Sequence, residues 1–141
     1  MGFLQWLAGQ PDESDSQMDL FGGSQALTPH ERVDGATVNK DFTKSVKKAG
    51  GSHNAYGRAV QVETQELFDC DVDQLYEGTG GRKGDRSTLP KEAQKAYIAS
   101  ETLSTHRLNG TEYKGSRAQK DDEIVEDVRD TANWVRQWLP W

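Results

Sequence analysis

Between Gly78 and Ser87 the chain reads GTGGRKGDRS, four glycines interleaved with Arg82, Lys83 and Arg86. Backbone N–H groups left accessible by glycine, together with cations, are the chemistry of a phosphate or polyanion contact. The stretch is not a P-loop, because no Gly-Lys-Ser/Thr closes it and no strand precedes it, so nucleotide hydrolysis is not expected. The plainer alternative is a solvated surface loop. Other chemistries fare worse. His30, His53 and His106 fall on different elements, without a His-x-x-x-His or Cys-x-x-Cys companion, so no metal site is expected. A calcium loop counted from Asp69 would need glycine sixth and glutamate twelfth, where Gln74 and Gly80 stand. No serine occupies a Gly-x-Ser-x-Gly elbow. Cys70 has no cationic neighbour from Phe68 to Val72 and reads as a small half-buried residue rather than a nucleophile. No catalytic residue and no cofactor is called for.

The elements that would position these residues are helical. Phe3, Leu4, Trp6 and Leu7 give a short amphipathic turn over Gly2–Ala8, stopped by Gly9 and Pro11, and expected to dock on the main domain. Thr28, Pro29 and Glu31 form a capping-box start for a helix to about Ala49, ended by Gly50 and Gly51. On it Val38, Phe42, Val46 and Ala49 share an inward face, and Lys40, Lys44, Lys47 and Lys48 the opposite one. A second helix is expected over Asn54–Phe68 with Tyr56, Ala59, Val60 and Leu67 inward, then a short one from Asp71, capped with Gln74, through Tyr76. Glu77–Thr88 reads as a long loop. Pro90 opens a helix to about Leu108, and a last helix is expected from about Asp121 to Leu139 with Ile124, Val128, Ala132 and Val135 on one stripe. Asp121, Asp122 and Glu123 would then sit at its N-terminus, where the dipole favours acids. Trp134, Trp138 and Trp141 crowd its far end, either closing the core against Phe3 and Trp6 or offering a protein interface. No segment alternates apolar and polar residues, so the class is all-α, a small domain of about four to five helices.

Composition narrows the function classes. The 141 residues are 33% hydrophobic and 28% charged, lean enough that part of the chain should lie outside the core. A net charge of -6 argues against a protein that coats nucleic acid nonspecifically. The charge is uneven: residues 1–27 hold four acids and no Lys or Arg, whereas 79–110 hold six basic residues against three acids. A local basic face is therefore compatible with the acidic total. The single cysteine fits a reducing compartment, no stretch approaches the length of a membrane span, and the first ten residues lack a signal peptide's basic region. A cytoplasmic protein is expected, with no membrane partner. The division expected is 1–9 as a short amphipathic segment, 10–27 as a disordered linker rich in Asp, Ser, Gln and Gly, and 28–141 as the helical domain.

Inside that polar linker Gln17-Met18-Asp19-Leu20-Phe21 resembles the pentapeptide by which many bacterial replication and repair proteins bind the β sliding clamp, and all five residues agree. By that resemblance Leu20 and Phe21 would bury in an apolar pocket of the clamp, Gln17 would hydrogen-bond at its edge, Met18 would add adaptable contact and Asp19 would stay at the rim. The competing reading makes Leu20 and Phe21 an anchor that packs back on the domain. A second stretch, Glu63 to Gln94, is similar in its pattern of residue types to a segment of bacterial DNA-damage-inducible D proteins and related phage domains. That likeness covers about a quarter of the chain, carries no catalytic motif, and implies a regulatory role in DNA damage or mobile elements.

The expectation is a non-enzymatic accessory or regulatory protein of bacterial or phage DNA replication or repair, docked on the clamp through Gln17–Phe21. Lys40, Lys44, Lys47, Lys48, Arg82, Lys83 and Arg86 are candidate DNA-backbone contacts. The alternative is a regulator of another protein, such as a repressor, recombinase or toxin, bound through Trp134, Trp138 and Trp141. A phosphodiester-acting enzyme using acids such as Asp71 or Asp85 ranks third.

Overall fold

A computed structural model describes residues 1–10 and 29–141, with side chains of the second stretch described from residue 34 onward. All regular structure among these residues is helical: α1 (Phe3–Ala8), α2 (Pro29–Lys48), α3 (His53–Phe68), α4 (Val72–Thr79), a 3₁₀ turn (Arg86–Thr88), α5 (Lys91–Asn109) and α6 (Arg117–Arg136). None of these helices is long and apolar enough to cross a membrane. The linker expected over 10–27, with Gln17–Phe21 inside it, lies outside the described residues apart from Gln10.

Local sequence explains most boundaries. Asp71 and Gln74 make the reciprocal capping box, Asp71 accepting from the Gln74 N–H at 2.7 Å and Gln74 from the Asp71 N–H at 3.0 Å. The helix they start runs past Tyr76 to Thr79 and ends on Gly80 at φ 75°, a left-handed cap that glycine adopts without steric cost. The last helix differs from expectation at both ends. It begins at Arg117 because Ser116 and Gln119 form a second capping box, so Asp121 and Asp122 lie in its second turn. It stops at Arg136, after which the chain turns back: the Trp141 indole N–H donates to Leu67 O at 2.6 Å, and Arg136 donates to the carbonyls of Trp141, Glu66 and Met1.

The four long helices pack in the order α2, α5, α6, α3, with α1 and α4 laid across one end. Their interior is layered. Along α3, Ala55 and Ala59 are followed by Glu63 and Thr64, then by Leu67 and Phe68; along α5, Ala93, Ala96 and Tyr97 give way to Ser100, Glu101 and Ser104, then Leu108; along α6, Ile124 and Val128 precede Thr131, then Ala132 and Val135. Two apolar clusters thus sandwich a buried polar layer. The first gathers Phe3, Phe68, Leu75, Tyr97, Val135 and Trp141, with Trp6 against it; Phe3 packs edge-on to Trp141 at 4.6 Å and Phe68 at 5.2 Å. The second gathers Phe42, Val46, Leu108, Tyr113 and Ile124. Docking of α1 on the core is as the apolar spacing of Phe3, Leu4, Trp6 and Leu7 predicts.

Candidate functional site

The fourth side of the bundle, between α2 and α3, is not closed by direct helix packing along its length. α2 meets α3 where Phe42 and Asn39 reach Tyr56, the two rings 5.8 Å apart and the Asn39 amide donating to the Tyr56 hydroxyl at 3.0 Å. Beyond that contact a groove of about 1040 Å³ opens, lined by Gly35 and Asn39 of α2, Tyr56 and Val60 of α3, Tyr76 of α4, Tyr97 and Ile98 of α5, and the segment 83–87.

The buried polar layer forms the support of this groove. Arg86 donates from Nη1 to Glu101 Oε1 at 2.8 Å and holds Nη2 2.8 Å from Oε2, a two-pronged pair whose carboxylate is 1% exposed. Its guanidinium lies 4.0 Å from the centre of the Tyr97 ring, a cation–π contact made by a side chain that is 27% exposed. Tyr97 in turn meets the Thr64 hydroxyl at 2.7 Å, and Thr64 donates to Val60 O at 2.7 Å, which leaves the Tyr97 hydroxyl as donor to Thr64. Asn39 spends its other amide hydrogen on Glu101 at 3.1 Å. Behind them Glu63 is fully buried, with no hydrogen-bond donor to either carboxyl oxygen.

Charge in this layer balances only if one carboxyl is protonated. Burial, and then the adjacent Glu101 charge, hold the Glu63 carboxyl well above the usual range against the weaker pull of Arg86. Glu63 is thereby held toward its neutral form, and Glu101 with Arg86 makes the ion pair. Burial works against the Arg86 charge, but hydrogen bonds to Glu101 and the Glu101 and Glu63 carboxyls raise its pKa above the ordinary value. Burial also raises the Tyr97 and Tyr76 hydroxyls. The ionisable groups of this support are paired, as Arg86 and Glu101 are, or held toward their neutral forms, as Glu63, Tyr76 and Tyr97 are.

The structure separates the two basic segments that sequence reasoning treated alike. In the glycine-rich loop Arg82 pairs with Asp85 at 2.7 Å, Lys83 with Asp73 at 2.5 Å, and Arg86 faces inward to Glu101. Arg86 is therefore a correction to its reading as a backbone contact, because both prongs of its guanidinium are engaged inside the protein. The loop folds on itself, the Thr88 hydroxyl accepting from the Arg82 N–H at 2.8 Å and donating to Asp85 O at 2.6 Å. By contrast Lys40, Lys44, Lys47 and Lys48 lie exposed on α2 as the periodicity predicts. The tryptophans also divide. Trp141 is 9% exposed and part of the core, which corrects its reading as an interface residue, whereas Trp134 and Trp138 are 51% and 73% exposed and meet edge to face at 5.9 Å. Gln17, Met18, Asp19, Leu20 and Phe21 lie outside the described residues.

Cys70 is 6% exposed, and burial, with Asp71 and Asp69 nearby, pushes its thiol up to about 11. Among the described residues no group of three or more His, Cys, Asp or Glu is placed to hold a metal. Sequence reasoning missed Glu63, Glu101, Thr64, Tyr97 and Asn39. A signal existed: Glu63 sits on the same helical stripe as Tyr56, Ala59, Val60 and Leu67, and Glu101 on that of Tyr97 and Leu108, so each is an acid on an apolar face. The chain matches no family model, no curated protein and no solved structure.

Proposed function

We propose that this protein is a non-enzymatic accessory factor of bacterial or phage DNA replication or repair that docks on the β sliding clamp through Gln17–Phe21. The observation that carries the reading is the agreement of all five residues with the clamp-binding pentapeptide, within a polar stretch. Two features of the helical body support it. The N-terminal segment already has an apolar anchor in α1, whose Phe3 is fully buried among Phe68 and Trp141, so Leu20 and Phe21 are not required for that task. The ionisable groups beneath the groove are tied to one another, which favours recognition over catalysis. A short peptide that orders on binding gives an affinity on the order of micromolar, suited to a transient tether.

Isothermal titration of purified β clamp with the full chain tests this directly. Saturable heat is expected in the micromolar range, lost in the Leu20→Ala, Phe21→Ala double variant; no heat at clamp concentrations well above micromolar, or an unchanged isotherm for the double variant, refutes it. The exposed Trp134–Trp138 pair favours a second reading, in which the chain regulates another protein through the end of α6. Pull-down from bacterial lysate separates the two. Clamp recovery should survive Trp134→Ala with Trp138→Ala, whereas a partner lost only in that variant supports the second reading.

A further inference from the structure

The chain-wide charge of -6 conceals one end of the bundle with the opposite sign. Gly50, just after α2, adopts φ 97°, and the stem of Lys120 from α6 crosses it so closely that a Cβ there would lie 3.0 Å from Lys120 Cδ. Lys48 and Lys120, far apart in sequence, thereby line one recess of about 440 Å³ with Gly110, Thr111, Tyr113 and a single acid, Glu112. Lys44 and Lys47 lie within about one turn of Lys48 on α2, Arg117 lies one turn before Lys120 on α6, and Lys114 precedes that helix by three residues. None of these six side chains has an ion-pair partner among the described residues.

Acids at this end are largely occupied elsewhere. Asp121 is 7% exposed and accepts from the Ser52 N–H at 2.7 Å and from its hydroxyl. Asp122 pairs with Arg58 at 2.8 Å. Asp41, Glu112 and Glu123 remain as exposed acids against Lys40 and the six cations, so the local excess is positive. Elsewhere the described arginines are engaged: Arg82, Arg86, Arg107 and Arg129 pair with acids, and Arg136 donates to backbone carbonyls.

The geometry points to this end, Lys44, Lys47 and Lys48 of α2 with Lys114 just before α6 and Arg117 and Lys120 in its first turn, as a sequence-independent surface for the phosphate backbone of duplex nucleic acid. Unpaired cations release condensed counterions when they neutralise phosphates, whereas cations already in ion pairs gain less. A lipid surface fits less well, because insertion needs exposed apolar side chains. Trp134 lies roughly 20 Å farther along α6 from Lys120 at 1.5 Å rise per residue, with Trp138 packed against it. A single strand fits less well because it needs stacking platforms. The aromatic of this recess, Tyr113, is 8% exposed with its hydroxyl bonded to Asp127. The inference is independent of clamp docking.

Fluorescence anisotropy with a labelled mixed-sequence DNA duplex of about 30 base pairs tests it, using the full chain without clamp. Saturable binding is expected at about 50 mM salt. With about four phosphates engaged it should weaken on the order of a hundredfold by about 200 mM. The Lys47→Glu, Lys48→Glu, Lys120→Glu variant should lose at least about tenfold in affinity, with the milder Lys48→Gln and Lys120→Gln losing about two- to threefold each if the reversal compromises folding. Arg82→Glu with Lys83→Glu should bind as wild type, and so should Leu20→Ala with Phe21→Ala, which keeps this result distinct from the clamp titration. Absence of binding at low salt, equal loss in the Arg82, Lys83 variant, or capture by phosphatidylserine vesicles in place of the duplex overturns the proposal.

Discussion

Arg86 and Lys48 carry the same charge, yet Arg86 lies against the Tyr97 ring with Glu101 on both prongs of its guanidinium, while Lys48 ends exposed beside a recess shared with Lys120. The difference comes from the elements around them. Arg86 belongs to a 3₁₀ turn pressed against the polar layer of α3 and α5, where a lone charge would be intolerable and Glu101 is supplied to match it. Lys48 belongs to the last turn of a helix whose opposite face carries Phe42 and Val46 into the core. A paired, partly buried cation becomes part of the scaffold; an exposed, unpaired one keeps its charge for a partner.

Removing each cation should show how unequal they are. Arg86→Ala leaves Glu101 buried without its counter-charge, and a loss of about 3–5 kcal/mol in urea-denaturation stability at pH 7 is expected. Arg86→Lys should recover little, because an ammonium cannot reproduce the two-pronged pair. Next in size is the effect of the neutral acid beside it. Glu63 has a folded pKa above its unfolded one, so the folded state holds its proton where the unfolded state has released it. Wild-type stability from this group is full below the unfolded value near 4.3 and declines as pH rises toward the raised folded value. Glu63→Gln keeps the neutral shape, so its stability relative to wild type should rise between pH 4 and pH 7. A difference that stays flat or falls across that range would show Glu63 to be ionised in the fold.

Smaller effects are expected in the exposed segments. Lys47→Ala with Lys48→Ala should leave urea stability within about 0.5 kcal/mol of wild type, since neither side chain has a partner to lose. Arg82→Ala and Lys83→Ala should leave the denaturation midpoint nearly unmoved, because their pairs with Asp85 and Asp73 are exposed and screened. A large loss in either pair of variants would erase the contrast with Arg86. Duplex binding sharpens it in the other direction, with the lysines expected to matter and the loop cations not.

Helix identity was legible from local chemistry. Asp71 with Gln74, Gly50 after Lys48 and Pro90 before Lys91 are signals read over a few residues, and caps act over that range. The start of α6 differs from expectation because three acids at 121–123 resemble a dipole-favoured first turn, while the capping box Ser116-x-x-Gln119 begins five residues earlier. Asp121 instead answers to Ser52, nearly seventy residues away, a partner no window on the sequence contains. The groove support went unread: the positions of Glu63 and Glu101 on apolar stripes are a local signal that sequence reasoning passed over, and nothing local shows that Arg86 would reach Glu101.

By itself the sequence determined an all-helical chain, the inward faces of α2 and α3, and a five-residue segment resembling a clamp ligand, because periodicity, caps and linear motifs are properties of neighbouring residues. Only the tertiary structure decided which charges cancel. It closed Arg86 onto Glu101 with Glu63 neutral behind them, folded Trp141 inward while leaving Trp134 and Trp138 outside, and brought Lys48 to Lys120. Electrostatic energy depends on distance and burial rather than on order along the chain, so equal side chains became scaffold at one site and free surface at another.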